Sequence, residues 1–406
     1  MQIPLLRQPL RRAGLRVSPA VGVCLLLLLL SCNPDRIKEA IPEEKPPVER
    51  EDHGYASLYL NLKRPVERKD IWTGGADLYY LCDDGLLDVP GEMEIKLRGN
   101  ATLGFPKKSY NIRFPEKKSV LGMPKDRRWC LLANWGDRTL LRNDLAFEIS
   151  RRCGMEWTPS GEYVDLYVNK EYQGVYYVCE KVTGSSNRLD LKSDGFLLEQ
   201  DIYYDEAHCF RTDLLDIPFM VKEPDEDEFD AEAYDAMRAY VNEAERLLVA
   251  GDTAWKRYLD TDSFARYWLV FELTQNWEPN NPKSCYMYMN PGGSLKAGPV
   301  WDFDWHTFIP GAEGFVIKDA LWFRYLFRDA EFVRLVKSVW EEQRASLADL
   351  PAYLDERAER IRPYAQTNAD MWPIPDQTDD WEQSIVDIRT CYQLRFAWLD
   401  KAIRAL

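Results

Sequence analysis

The apolar residues change period partway along the chain, and that change limits the folds open to it. In the first half they alternate. Met93, Ile95 and Leu97 are interleaved with Glu94, Lys96 and Arg98, and Tyr110, Ile112 and Phe114 with Asn111 and Arg113, as in half-buried strands. Val164, Leu166 and Val168 run into Asn169-Lys170-Glu171, and Gln173-Gly174 leads on to Val175–Val178, which predicts a hairpin with glycine near its turn. One helix interrupts the strands, over about Thr139–Cys153, ended by Gly154.

From about Asp230 the period becomes helical. Tyr234, Met237, Val241, Ala244 and Leu248 share a face, and Asp262-Ser263 is placed to cap a second helix carrying Phe264, Trp268 and Phe271. A loop from Asn276 to Pro299 holds a short apolar strand, Cys285–Tyr288. Helices are expected at roughly 329–345, 350–368 and 378–404. The order predicts an α+β fold of two lobes with a cleft between them, β-rich over 53–228 and helical over 229–406.

Ahead of that domain, Arg7, Arg11, Arg12 and Arg16 precede an uninterrupted apolar run, Val21–Leu30. The run is too short for a permanent membrane helix and suits a signal peptide over residues 1–31. Leu29-Leu30-Ser31-Cys32 resembles a bacterial lipobox, so Cys32 is the expected lipidation site. Residues 32–52, rich in Pro and charge, read as a tether. The expected location is the cell envelope, with the membrane reached through the lipid alone. A formal charge of −15 argues against nucleic acid as a partner and against binding of an anionic lipid surface by charge.

The chain has 9 Cys and 3 His. Without Cys24 and Cys32 the Cys number is odd, and no pair has CxxC spacing, so neither a zinc site nor a full disulfide framework is supported. Scarce His also weakens a Ser-His-Asp reading. With 14 Trp, 22 Tyr and 16 Phe, aromatics either fill a core or offer a flat sugar-binding surface. The densest chemistry is Gly298-Pro299-Val300-Trp301-Asp302-Phe303-Asp304-Trp305. If this segment is extended, Asp302 and Asp304 point the same way and are a candidate Mg²⁺ or Mn²⁺ site; the bland alternative is a pair of turn carboxylates. Arg98, Lys107, Lys108 and Lys222 are candidate phosphate-binding cations. No GxGxxG or GxxxxGK[ST] segment occurs, which excludes a Walker-type NTPase or an ordinary protein kinase.

Several segments, in order, resemble the CotH kinase family, atypical kinases named after spore-coat protein H. They are Leu97-Arg98-Gly99-Asn100, Pro106-Lys107-Lys108-Ser109-Tyr110, Trp129–Trp135 with Asp137, Leu141-Arg142-Asn143, Tyr167–Tyr176, Glu180-Lys181 and Gly298–Asp304. The resemblance covers about residues 90 to 310. It implies a two-lobed, kinase-like fold and Mg-ATP-dependent transfer of phosphate to Ser or Thr of exported proteins. By motif, the ATP contacts would fall on Arg98, Lys107 or Lys108 and Asn276, with Lys222 as a further cation. Glu278 would be the catalytic carboxylate, and Asp302 would bind metal with Asp304 assisting. Two positions depart from the pattern. Asn276-Trp277-Glu278 replaces the common Asn-x-Asp, and Ser284 replaces an Asn before the Tyr-rich strand, unless Asn280 or Asn281 takes that role. These departures leave a second expectation, a surface protein that keeps the fold to bind a glycan or a protein partner.

Overall fold

The computed structural model describes residues 55–82, 85–224, 230–311, 313–375 and 380–406. The expected signal peptide, Cys32 and the whole of the tether lie outside the described residues. Seven strands close into a barrel: β1 (Ala56–Leu62), β2 (Thr73–Cys82), β3 (Gly85–Leu97), β4 (Tyr110–Lys118), β5 (Asp126–Leu132), β6 (Gly161–Val168) and β7 (Glu171–Glu180). Their order is β1-β2-β3-β4-β5-β7-β6, and the ring is completed by a parallel pairing of β6 with β1.

Alternation explains how the barrel is filled. One residue set, including Leu58, Leu78, Ile95, Ile112, Leu131, Leu166 and Val178, forms a buried cluster drawn from every strand. The opposite set on β5 and β7, including Cys130, Leu132, Val175, Tyr177 and Cys179, belongs to a second, larger core shared with the helices. The β6–β7 turn is Asn169-Lys170, both at positive φ (49° and 73°), as a two-residue hairpin loop requires. Gly174 is therefore not the turn; it lies inside β7, where a Cβ would meet Asn368 Oδ1 at 2.5 Å.

Helix α1 (Arg142–Arg152) joins β5 to β6. It begins three residues later than the sequence suggests. The Asp137 carboxylate accepts from the N–H groups of Thr139 and Arg142 and from the Thr139 hydroxyl, which holds 137–141 as a turn. A second sheet follows: β8 (Phe196–Gln200), β9 (Cys209–Arg211), β10 (Pro218–Glu223), β11 (Cys285–Met289) and β12 (Lys296–Ala297), in the order β12-β11-β8-β10-β9. Helices α2 (Ala231–Ala250) and α3 (Thr261–Thr274) lie between β10 and β11, and α4 (Phe323–Leu326), α5 (Ala330–Ala348), α6 (Leu350–Met371) and α7 (Trp381–Ala405) follow. The cap of α3 is Asp260, whose carboxylate accepts from Ser263 N–H; Asp262 and Ser263 already belong to the helix. The fold is thus α+β, β-rich at its N-terminal end and helical at its C-terminal end. Among the described residues, no helix is long and apolar enough to cross a membrane.

Two buried ion pairs tie these layers together. Arg395 of α7 donates to Glu272 Oε2 (2.6 Å) and to the carbonyls of Glu272 and Gly314, while Glu272 also accepts from Val316 and Ile317 N–H. Arg357 of α6 meets Asp144 of α1 at 2.6 Å, and Tyr177 of β7 donates to the same carboxylate.

Candidate active site

A cleft of about 600 Å³ lies where the outer face of the barrel meets the second sheet and the loops after α3 and β12. The barrel contributes by strand register. Lys96 pairs with Asn111, Asn111 with Cys130, and Cys130 with Cys179, one continuous row across β3, β4, β5 and β7. Three of these four, with Arg98, Leu132 and Lys181, line the cleft. Because side chains alternate, residues filling the barrel and residues facing the cleft are necessarily neighbours in sequence.

The barrel side is cationic. The Arg98 guanidinium sits over the Trp301 ring, 5.1 Å from its centre. The strand turns away at Gly99, at φ 95°, where a Cβ would lie 1.8 Å from Thr102 Oγ1, so a larger residue there is strained and displaces the Thr102 side chain. Burial lowers the Lys181 ammonium to about 8. A further cation comes from the second sheet: Lys222 of β10 pairs with Glu199 (3.1 Å) and Glu206; burial opposes its charge, but the two carboxylates more than offset this and raise its pKa.

The facing side is acidic. Asp302 and Asp304 both line the cleft, but not through the alternation of an extended strand. Asp302 is left-handed at φ 69°, and the segment around it carries no strand. Its conformation is held from two sides. Asn143 of α1 accepts from Phe303 N–H (2.8 Å) through Oδ1 and donates to Asn134 Oδ1 (3.1 Å). Asn276 donates to the Asp302 carbonyl (3.1 Å) and accepts from Glu278 N–H (2.8 Å), so one buried amide links the backbones that carry two of the carboxylates. Burial, then the neighbouring Asp302 charge, raise the carboxyl of Asp304 to about 8 and that of Glu278 to about 7. Glu278 Oε2 is buried without a hydrogen-bond partner, with the Lys283 ammonium 3.8 Å away. Asp201, after β8, is raised to about 6, chiefly by burial.

Of the residues singled out by sequence, Arg98, Lys222, Glu278, Asp302 and Asp304 meet in this cleft. Asn276 lies behind it as a backbone tie. Lys107 and Lys108 are not among its lining residues. The Lys107 ammonium is buried and donates to the carbonyls of Ala133 and Val175 and to Asn368 Oδ1. Lys108 donates to the carbonyls of Leu103 and Phe105. Asn280 is occupied by the Trp277 and Val316 carbonyls, and Asn281 does not line the cleft. Asp201, Lys181 and Asn143 were given no role from sequence. Lys181 was within reach of such reasoning, because it follows β7 with the parity of Cys179. Asp201 became a site residue only when β8 paired with β10 and β11.

Among the described residues, no group of three or more His, Cys, Asp or Glu side chains is arranged to hold a metal ion. Two carboxylates are nonetheless what Mg²⁺ requires of a protein when phosphate and water supply its other ligands. The raised Asp304 carboxyl, pressed by burial and by Asp302, is the mark of a charge that a cation would relieve. The residues present fit a magnesium-bound phosphate group.

Within this α+β chain, a barrel wall carrying Lys96, Arg98 and Lys181 borders the same cleft as a loop-borne set of carboxylates, Glu278, Asp302 and Asp304. The protein-family model described as "CotH kinase protein" matches residues 95–399, and the chain belongs to that family. It is also 30% identical over 116 residues to the inner spore coat protein H of Bacillus subtilis (strain 168). That stretch is 28% of this chain and spans 30% of the relative's length.

Proposed function

We propose that the cleft is the active site of a phosphotransferase that moves a phosphoryl group from ATP to a Ser or Thr hydroxyl of an exported protein, on a two-lobed, kinase-like fold whose cleft lies between the barrel and the second sheet with its adjoining loops. The observation that carries this reading is the opposition of Arg98, Lys181 and Lys222 to Glu278, Asp302 and Asp304 across one cleft. Asp302 and Asp304 would hold Mg²⁺ or Mn²⁺, which supplies charge neutralisation at the phosphates when bound. Arg98 and Lys181 would take phosphate oxygens; Arg98 is kept in place by Trp301.

Glu278 is the proton acceptor in this reading. A carboxyl raised to about 7 is matched to proton transfer near neutral pH, and Oε2 has no competing hydrogen bond. The acceptor oxygen forms a bond to the γ-phosphorus as the bond from that phosphorus to the β–γ bridging oxygen breaks, and the hydroxyl proton passes to Glu278. The ADP leaves with the bridging oxygen. The backbone tie through Asn276 keeps Glu278 and Asp302 in fixed relation during this step.

The test is a thermal shift with Mg-ATP, followed by phosphate incorporation into exported proteins. Stabilisation by Mg-ATP that Asp302→Asn abolishes is the expected result. No shift at millimolar nucleotide, with either Mg²⁺ or Mn²⁺, would overturn the reading. A second reading, a surface protein that binds a glycan or protein partner without catalysis, draws on Tyr203 and Trp305, which line the cleft while 44% and 46% exposed. Envelope location through a lipid on Cys32 belongs to both readings and is checked by labelling with a palmitate analogue in cells carrying Cys32→Ala.

A further inference from the structure

Neither reading uses a pair of buried thiols beside the cleft, of which Cys130 borders it and Cys179 lies behind Cys130. Cys130 of β5 and Cys179 of β7 are paired directly across an antiparallel ladder, on the face turned away from the barrel interior. Residues so paired have Cα atoms ~4.5–5.5 Å apart, inside the ~4.4–6.8 Å that a disulfide spans. Both are free thiols, and Cys130 lines the cleft within the electrostatic reach of Arg98 and Lys181. Burial raises a thiol, but here the hydrogen bond with Cys179 and then the charges of Arg98, Lys181 and Arg188 outweigh it, so Cys130 is held below the ordinary thiol value while Cys179 is pushed above it. Cys130 is therefore the sulfur prepared to attack, and Cys179 is placed to resolve by its position directly across the ladder. Cys209 and Cys391, the half-buried thiols, have no such partner strand position.

We propose that Cys130 and Cys179 are a dithiol modification site that exchanges with small anionic disulfides entering the cleft. The Cys130 thiolate attacks one sulfur of the external disulfide, forming a mixed disulfide and releasing one external thiolate. Cys179 then gives up its proton and attacks the Cys130 sulfur, releasing the second external thiolate. The protein dithiol is oxidised to a disulfide and the external disulfide is reduced to two thiols. The cations beside Cys130 select an anionic reagent over a cationic one. This site stands whether or not the cleft transfers phosphate.

The experiment uses the full chain, reduced, freed of reductant and exposed near neutral pH to oxidised glutathione or to cystamine. Peptides are mapped without reduction after an acid quench. The expected product is a Cys130–Cys179 cross-linked peptide, formed at least about tenfold faster with the anionic reagent. Cys179→Ala is expected to stop at glutathione bound to Cys130. The proposal is overturned if Cys130 and Cys179 stay reduced in the folded protein while Cys209 or Cys391 reacts, or if cystamine reacts as fast. The wild-type arms give that answer even if the variant does not fold.

Discussion

Asn143→Ala separates a positioning role from a merely structural one. Asn143 Oδ1 accepts from the N–H of Phe303 at 2.8 Å, and its Nδ2 donates to Asn134 Oδ1 at 3.1 Å. Phe303 and Asn134 are both buried, so the substitution orphans one donor and one acceptor that water cannot easily reach. Each orphan costs about 1–3 kcal/mol, giving about 2–6 kcal/mol in all. The orphaned N–H lies between Asp302 and Asp304, whose backbone then loses one of its two supports. A displacement of ~1 Å at a reacting group costs ~100-fold in transfer rate. The assay is urea unfolding combined with the Mg-ATP thermal shift, with Lys107→Met as a control destabilised to a similar degree but outside the cleft. Asn143→Ala is expected to lose stability and most of the shift; the control is expected to keep the shift. Loss of under about 0.5 kcal/mol, or full destabilisation with an intact shift, would refute the reasoning.

Three further outcomes follow from the same geometry. Lys107→Met leaves three buried acceptors without their shared donor, so it should cost about 2–4 kcal/mol in urea unfolding while leaving nucleotide affinity unchanged. Arg395→Met strands the buried Glu272 carboxylate and should cost about 3–5 kcal/mol, and adding Glu272→Gln should cost less than the sum of the single changes in a double-mutant cycle. Glu278 and Asp304 have folded values of about 7 and about 8, above unfolded carboxyl values of about 4, so the folded chain holds extra protons between those limits. Their contribution to stability is present below about pH 4 and is lost as the pH rises through 7 to 8. Denaturation midpoints measured without divalent cations should show this fall, and Asp304→Asn should flatten it; an unchanged slope counts against the raised carboxyl.

Much of the fold was legible because alternation and helical period report which face of an element is apolar. Met93, Ile95 and Leu97 are buried as their spacing predicts, and so are Met237, Val241, Ala244 and Leu248 on α2. Closure of the barrel was not legible. It rests on the pairing of β1 with β6, about a hundred residues apart, and no local pattern encodes which edges meet. The two displaced helix starts have a local cause. Asp137 and Asp260 each capture backbone N–H groups ahead of the residues that look like caps, and several polar residues in a row leave that choice to the turn geometry.

The site was legible as a set of residue types but not as a set of directions. Lys107 and Arg98 are equivalent to a sequence reader, each a cation beside a strand in a recurring motif. Their side chains diverge because the three groups that receive Lys107 come from the end of β5, from β7 and from α6, and no one segment announces that meeting. A buried ammonium with three acceptors is a structural strut, whereas a guanidinium laid over Trp301 at a cleft wall remains available to an anion. The same distinction applies to the amides. Asn276, read as a cofactor contact, holds backbones, and so does Asn143. A recurring motif in this fold therefore includes residues that build the site alongside those that face it. Burial together with partner identity tells them apart: a polar side chain whose partners are all backbone or buried amides positions, and one that borders the cleft with capacity unspent is free to act.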